Sequence, residues 1–242
     1  MKKPSIASQI IMLFLLIVGI SVGTALVGIA TWGDLETVLL FPPTGADKHL
    51  SNLRCPILIS SNETGTVYVN YKNPTTYTAS PLIRATISQG STILMDNFTS
   101  EPTIPPGTTK KITWAVVSGE AAYRGRLILV QIYINRSYPL PSYSNTCGIV
   151  VLNLGGLKGE QMVYGALFLS LAGMLGGCIW WLGTHKTMSG HLTGGIIFLV
   201  IIVILGLLAS WFGLWMFGLG SFILTILLTI ILFTRFGMDD RY

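Results

Sequence analysis

Three long apolar runs constrain this chain more than anything else in it. One covers about 10–30, one about 162–182, and the last extends from Leu192 to Thr234 without a charged residue. The hydrocarbon core of a bilayer is about 30 Å thick, and a helix of about 20 apolar residues crosses it. As a single helix the last run would measure about 64 Å at 1.5 Å per residue. Two helices with a tight turn fit it better. The expectation is four membrane helices, with one aqueous domain inserted between the first and the second.

Composition agrees and narrows the function classes. Only 10% of the residues are charged, where a soluble domain carries about 25%. The deficit is local: Lys186 is the only Asp, Glu, Lys or Arg between Glu160 and Arg235. The net charge of +5 does not point to nucleic acid. Ten of the fifteen basic residues are scattered through the middle of the chain among eight acidic ones, with no basic stripe and no interleaved aromatics.

Met1-Lys2-Lys3-Pro4 followed by an apolar stretch resembles a secretory signal, and Gly28-Ile29-Ala30 offers a small-x-small pattern. The apolar stretch is longer than the roughly 7–15 residues of a signal core, so an uncleaved signal anchor is expected. Lys2, Lys3, Lys186, Arg235 and Arg241 fall on one side of four spans. Lys and Arg in short loops mark the cytoplasmic side. The expected layout is a cytoplasmic N-terminus at 1–9, a first span at 10–30, an interfacial linker at 31–49, an extracytoplasmic domain at 50–154 and a linker at 155–161. A second span at 162–182, a cytoplasmic loop at 183–193, spans at 194–211 and 215–234, and a cytoplasmic tail at 235–242 complete it. Residues 31–161 then lie outside a plasma membrane, and both termini inside.

Residues 50–154 change character. Val, Ile, Thr and Tyr rise, and Gly, Pro, Asn and Ser punctuate. Strand-like runs recur at 55–60, 66–71, 82–88, 92–98, 111–117, 126–134 and 147–154, with alternation at 67–71 and 127–134. Asn73-Pro74, Gln89-Gly90 and Pro105-Pro106-Gly107 break them. About seven short strands at this spacing suggest a β-sandwich. The segment Ser61-Asn62-Glu63-Thr64-Gly65-Thr66-Val67-Tyr68-Val69 with Tyr71-Lys72-Asn73, and the proline-glycine turn Ile104-Pro105-Pro106-Gly107 leading into Thr108-Thr109-Lys110-Lys111-Ile112-Thr113-Trp114, resemble bacterial immunoglobulin-like domains of cell-surface proteins. The resemblance covers under half the chain and implies a fold, not an activity. The fold class expected is an α + β membrane protein: four transmembrane helices, one plus three, carrying an immunoglobulin-like sandwich.

Cys55 and Cys147 are the only cysteines of the middle domain. They fall on the first and last expected strands, and an exported compartment permits a disulfide between them. Closing a loop of about 90 residues would contribute roughly 4 kcal/mol. Cys178 lies inside the second span and reads as a packing residue. Three Asn-x-Ser/Thr triplets, at Asn62, Asn97 and Asn135, are of a number that chance supplies in a domain this rich in Ser and Thr. Thr31-Trp32-Gly33-Asp34 has the form of a capping box that would start a short interfacial helix ending at Pro42-Pro43; a plain apolar linker is the equal alternative.

Inside the spans, small residues recur at helix-packing spacing: Gly19 with Gly23, Gly173 with Gly177, and Ala172 with Gly176. Ser221, Thr225 and Thr229 share one face of the last span, where they can bond the carbonyl four residues back or a neighbouring helix. These faces serve either packing within the chain or docking of another subunit. Trp180, Trp181, Trp211 and Trp215 sit where interfacial aromatic belts belong. No Asp, Glu, Lys, Arg or His falls inside an expected span. Ion pathways and proton relays need such groups, so transport by this chain alone is not expected.

A search for chemistry returns little. His185 and His191 lie in an inner loop without acidic or cysteine neighbours, and His49 has no clustered ligand set; a metal site needs three or four. There is no Gly-x-Ser-x-Gly and no Walker loop. No catalytic, cofactor-binding or metal residue is therefore assigned, no cofactor is expected, and the chain is not read as an enzyme. The leading expectation is an accessory or structural subunit of a larger membrane complex, with membrane lipid and other membrane subunits as partners. The alternative is a cell-envelope adhesion or carbohydrate-binding protein, which would present Tyr77, Tyr138 and Tyr143 on one loop rim to a glycan. A third reading gives His185 or His191 an axial-ligand role to a haem or pigment.

Overall fold

A computed structural model of the protein describes residues 6–41, 45–90, 94–121, 125–184 and 190–239. It divides into two compact units, one of residues 32–162 and one of residues 1–31 with 163–242.

The first unit is built on two sheets. Its strands are β1 (Lys48–His49), β2 (Leu53–Arg54), β3 (Leu58–Ser60), β4 (Thr64–Lys72), β5 (Ile83–Gln89), β6 (Leu94–Ser100), β7 (Thr109–Val117), β8 (Leu127–Ile134) and β9 (Tyr143–Leu152). The larger sheet has the order β1-β9-β8-β5-β6, with β3 also on β9; the smaller is β2-β4-β7. All pairs are antiparallel except β1–β9 and β3–β9, which are parallel. The seven expected strands all correspond to observed ones. The two-residue strands β1 and β2 are too short to give a periodic signal.

Alternation explains the core. In β4, Val67, Val69 and Tyr71 turn inward against Trp114 and Val116 of β7, and they meet Ile83, Ala85, Ile87, Ile128, Val130 and Ile132 of the larger sheet. On the outer face Lys111 Nζ lies 4.0 Å from the centre of the Tyr68 ring. Strand β8 departs from the expected alternation, since Leu127, Ile128, Leu129 and Val130 are all buried. The reason is that both of its faces are covered. Leu127 and Leu129 form a second cluster with Phe41, against which Leu40 packs.

That cover comes from helix α1 (Ile6–Leu40), whose length corrects one expectation. Thr31-Trp32-Gly33-Asp34 does not cap a new helix, and 31–40 is not a linker. The helix runs straight through, because nothing before Pro42 removes a backbone donor and a single glycine costs only about 1 kcal/mol. Thr37 Oγ1 donates to the Gly33 carbonyl at 2.8 Å within it. Glu63, in the β3–β4 turn, accepts from Ser60 N at 3.0 Å and from Gly159 N at 2.6 Å, which caps the first residue of the next helix.

The second unit contains residues 6–31 of α1 with α2 (Gly159–Thr184, from Val163 on), α3 (Gly190–Trp211) and α4 (Trp215–Asp239). Among the described residues, four helices are long and apolar enough to cross a membrane: Ile10–Leu40, Gly159–Gly183, Thr193–Trp211 and Trp215–Leu232. The turn between α3 and α4 is a Schellman motif. Gly213 adopts φ 69°, Leu214 N donates to Ala209 O at 2.9 Å and Gly213 N to Ser210 O at 3.2 Å. A glycine is suited to that left-handed position, which is why so tight a turn fits between two helices.

Candidate functional site

A network of polar side chains in the β unit lies at one end of its sheets, where the β4–β5 loop, the segment before β7, the segment before β1 and the β8–β9 hairpin meet. Asn73 anchors it. Its side chain is fully buried. Its Nδ2 donates to the carbonyls of Tyr77 at 2.8 Å, Ile104 at 2.9 Å and Pro105 at 3.3 Å. Its Oδ1 accepts from Thr75 N at 3.0 Å and Thr75 Oγ1 at 2.7 Å. Backbone bonds between Ala79 and Ile104, at 3.0 and 2.9 Å, tie the same two segments. A buried amide so completely used fixes loop geometry, because each lost bond would strand a buried partner.

The hairpin is fixed as firmly. Leu140 turns into the core, and Ser137 and Leu140 exchange backbone bonds at 3.2 and 2.6 Å. The Tyr138–Pro139 peptide is cis. Asp47 Oδ2 accepts from Ser142 N and Ser142 Oγ, both at 2.9 Å, and lies 3.7 Å from Arg136 Nε. The Ser142 backbone bond, then its hydroxyl, hold the Asp47 carboxyl below its ordinary range, with smaller help from Arg136 and Lys48.

These supports carry two aromatic rings. Tyr138 is 93% exposed and Tyr77 45%, and the Tyr77 hydroxyl donates to the Tyr138 carbonyl at 2.9 Å. Tyr143 does not join them. It packs edge-on against Tyr71 with ring centres 6.2 Å apart, at the margin of the core, and burial, with smaller help from Tyr143, raises the Tyr71 hydroxyl pKa. The sequence offers Asn73 only in a strand breaker and in the Tyr71-Lys72-Asn73 segment, and gives no signal that Asp47 and Ser142 pair.

Cys55 and Cys147 form a disulfide with Cα atoms 6.5 Å apart. Cys147 is on β9, but Cys55 lies between β2 and β3 rather than on a strand. Cys178 is a free cysteine.

In the helical unit the small residues meet one another. Gly19 abuts Gly173 and Met174: a Cβ on Gly19 would stand 2.5 Å from Met174 N. Ser170 Oγ donates to the Gly19 carbonyl at 2.9 Å. Gly173 faces the Leu15 carbonyl, Gly177 faces Leu16, and Gly23 faces Ser170 and Val203. Gly176 meets nothing. Ser221, Thr225 and Thr229 bond their own helix, at Gly218 O, Ser221 O and Thr225 O, each 2.8 Å. Tyr164 and Trp211 stand 6.1 Å apart at their ring centres.

His185 lies outside the described residues, as does the side chain of His191 in the first turn of α3. Among the described residues no group of three His, Cys, Asp or Glu is placed to hold a metal.

No known protein family matches this chain, and no curated protein does. Parts of solved structures are weakly similar. The crystal structure of a Paenibacillus sp. cycloisomaltooligosaccharide glucanotransferase, complexed with cycloisomaltoheptaose, matches 44% of this chain and 14% of its own at 14% identity, with a TM-score of 0.31. Two structures of β-glucuronidases from Bacteroides uniformis, one covalently bound to cyclophellitol-6-carboxylate aziridine, each match 41% of this chain and 12% of their own at 15% identity and a TM-score of 0.30. This chain spans only 12–14% of the length of those proteins. The likeness is a weak one of fold and bears on neither activity nor ligand.

Proposed function

We propose that this is a non-catalytic integral membrane protein, an accessory or structural subunit of a larger membrane complex. The four apolar helices reside in the bilayer, and the β unit, an immunoglobulin-like sandwich outside the membrane, meets a partner protein. Residues 31–161 are extracytoplasmic and both termini cytoplasmic, following the positions of Lys2, Lys3, Lys186, Arg235 and Arg241.

One observation carries the reading. A disulfide-linked two-sheet unit is inserted between apolar helices whose central stretches, 10–30, 162–182, 194–211 and 215–234, hold no Asp, Glu, Lys, Arg or His. Such helices suit anchoring and packing rather than ion or proton relay. The glycine faces of α1 and α2 are used against each other, so the proposal assigns the partner contact to the β unit and to α4. The outward residues of α4 include Phe217, Ile223, Leu227 and Ile230.

Affinity purification of the tagged protein from its native membranes in mild detergent tests the reading, with a native gel and mass spectrometry as readout. A stoichiometric set of co-migrating subunits is expected. Recovery as a lone, stable monomer counts against it.

A further inference from the structure

We infer that the loop end of the β unit bearing Tyr138 and Tyr77 is a binding site for a pyranose saccharide, with the Tyr138 ring as the stacking platform. The inference does not depend on whether the protein is a subunit of a complex.

An aromatic ring left 93% exposed gains nothing for folding. It is nevertheless held on a fastened loop. The Ser137–Leu140 backbone pair closes the loop beneath it, Leu140 anchors the loop in the core, and the Tyr77 hydroxyl grips the Tyr138 carbonyl itself. Tyr77 is in turn positioned by Asn73, which holds the Tyr77 carbonyl from within the core. The main chain beneath the ring is therefore set before any ligand arrives, and a tyrosine has only two side-chain torsions left to order. That is the arrangement in which an aromatic contact is made at low entropic cost.

The surroundings select the ligand class. A pyranose presents a flat face of C–H bonds and a rim of hydroxyl groups. The C–H face suits the electron-rich face of a phenol ring. The hydroxyl rim needs fixed donors and acceptors close by. Arg136, two residues from Tyr138, is 74% exposed at its side chain and is held near Asp47. The bonds to Asp47 from Ser142 and the approach of Arg136 all fall on Oδ2. Among the described residues nothing bonds Oδ1, an acceptor beside a guanidinium donor, and that pairing matches adjacent hydroxyls. A protein partner would want something different. A standard protein interface buries about 800 Å² on each side around several packed apolar anchors. Here Arg136, Ser137 and Pro139 flank the ring in the chain, and the nearest large aliphatic residue in the loop, Leu140, is turned into the core.

The site stands at the start of β9, at the opposite end of that strand from Leu152, after which the chain turns into α2. Ten residues of strand set the two ends about 30 Å apart.

The test uses the full chain in lipid nanodiscs, since glycoside detergents would compete for such a site. The probe is a printed array of pyranose oligosaccharides, followed by titration of each positive sugar. At least one pyranose class is expected to bind. Tyr138→Ala should weaken it by at least about tenfold, with the thermal midpoint unchanged because the ring buries almost nothing. Tyr138→Trp should retain binding, and Arg136→Ala should weaken it less than Tyr138→Ala. An array without signal overturns the inference, as does a sugar that binds Tyr138→Ala as well as the parent. A partner protein that needs Tyr138 while no sugar binds overturns it in favour of a protein-docking surface.

Discussion

The backbone N–H of Gly148 in β9 donates to Oδ1 of Asp34 in α1 at 3.1 Å. Leu129, which faces Gly148 across the β8–β9 ladder, sends its own N–H to Ser88 Oγ. The Gly148 N–H therefore points away from β8. On that side β9 is paired only by β1 at 143–144 and by β3 at 150–152. The helix fills the interval, and its carboxylate answers a donor that no strand reaches. The approach requires glycine at position 148, since a Cβ there would overlap the Gly33 backbone, while a Cβ on Gly33 would stand 3.2 Å from the Gly148 carbonyl. Gly148→Ala should cost about 3 kcal/mol, the upper range of overpacking. Asp34→Ala should cost about 1–3 kcal/mol through the stranded N–H, and Asp34→Asn should recover most of that by keeping an acceptor. Chemical denaturation followed by near-ultraviolet circular dichroism reads all three; equal loss in the alanine and asparagine variants at position 34 would falsify the edge-capping account.

The Cys55–Cys147 disulfide closes a separation of 92 residues. It ties the irregular segment before β3 to the middle of β9, so reduction frees most of the sandwich chain in the unfolded state. A loop of that length corresponds to roughly 4 kcal/mol of closure entropy. Replacing both cysteines with serine should lower the unfolding free energy of the β unit by that order. Limited proteolysis of the intact protein, with and without reductant, checks it. Identical digestion rates would show that the bridge contributes nothing.

The fold was legible where one physical signal dominates. Uncharged apolar length marks the four long apolar helices, and strand-like runs between turn breakers mark β4 through β9, with period-two alternation plain in β4. Legibility failed where tertiary context overrides local pattern. Leu127, Ile128, Leu129 and Val130 are buried on both faces of β8 because α1 lies over one of them, which alternation alone cannot reveal. Thr31 to Asp34 has the letters of a helix start but lies inside a helix that nothing interrupts. At the loop end the sequence offers Tyr77, Tyr138 and Tyr143 as one aromatic rim, of which the structure joins the first two while Tyr71 claims the third. Asn73 and Asp47 were invisible because their importance lies in partners 31 and 95 positions away.

The glycines of the helical unit should divide sharply under substitution. Gly19→Ala puts a Cβ 2.5 Å from Met174 N and 2.8 Å from the Gly173 carbonyl carbon, both backbone atoms that cannot turn aside. Gly176→Ala, one turn along the companion small-residue spacing, meets nothing within 4 Å. The first should destabilise the unit by about 1–3 kcal/mol, and the second should be neutral or slightly stabilising through helix propensity. Thermal aggregation of the purified protein, followed by size-exclusion chromatography, separates the two. Equal midpoints would mean that α1 and α2 do not meet at Gly19.

Asp47 predicts an acid limit for the hairpin. Its folded pKa lies below the ordinary 3.8, chiefly through the Ser142 backbone bond. A depressed carboxyl pKa contributes stability that is present above the unfolded value and is lost as pH falls through the folded one. The Asp47 contribution should therefore be complete at neutral pH and vanish only below about pH 3.8. Asp47→Asn should loosen the loop at pH 7 and approach the parent at acid pH, as the Asp47 carboxyl takes up its proton. Hydrogen exchange at the Ser142 amide reads this directly, and faster exchange in the variant at both pH values would point to a steric rather than an ionic role.

Asn73 offers the strictest test of the loop end, because its two polar atoms carry opposite duties. Nδ2 donates to three carbonyls and Oδ1 accepts from Thr75. Asn73→Ala strands the Ile104 and Tyr77 carbonyls and should cost about 2–4 kcal/mol, on the order of two stranded bonds. Asn73→Asp keeps the shape and the acceptor but faces a carboxylate toward those carbonyls. It should be at least as damaging at pH 7 as the alanine variant, and should improve as the pH falls and the carboxyl takes a proton that can donate. No surface asparagine would show that reversal. Denaturation midpoints of both variants between pH 4 and 8 supply the measurement; an aspartate variant as stable as the parent at pH 7 would mean that the three donated bonds do not hold the loops together.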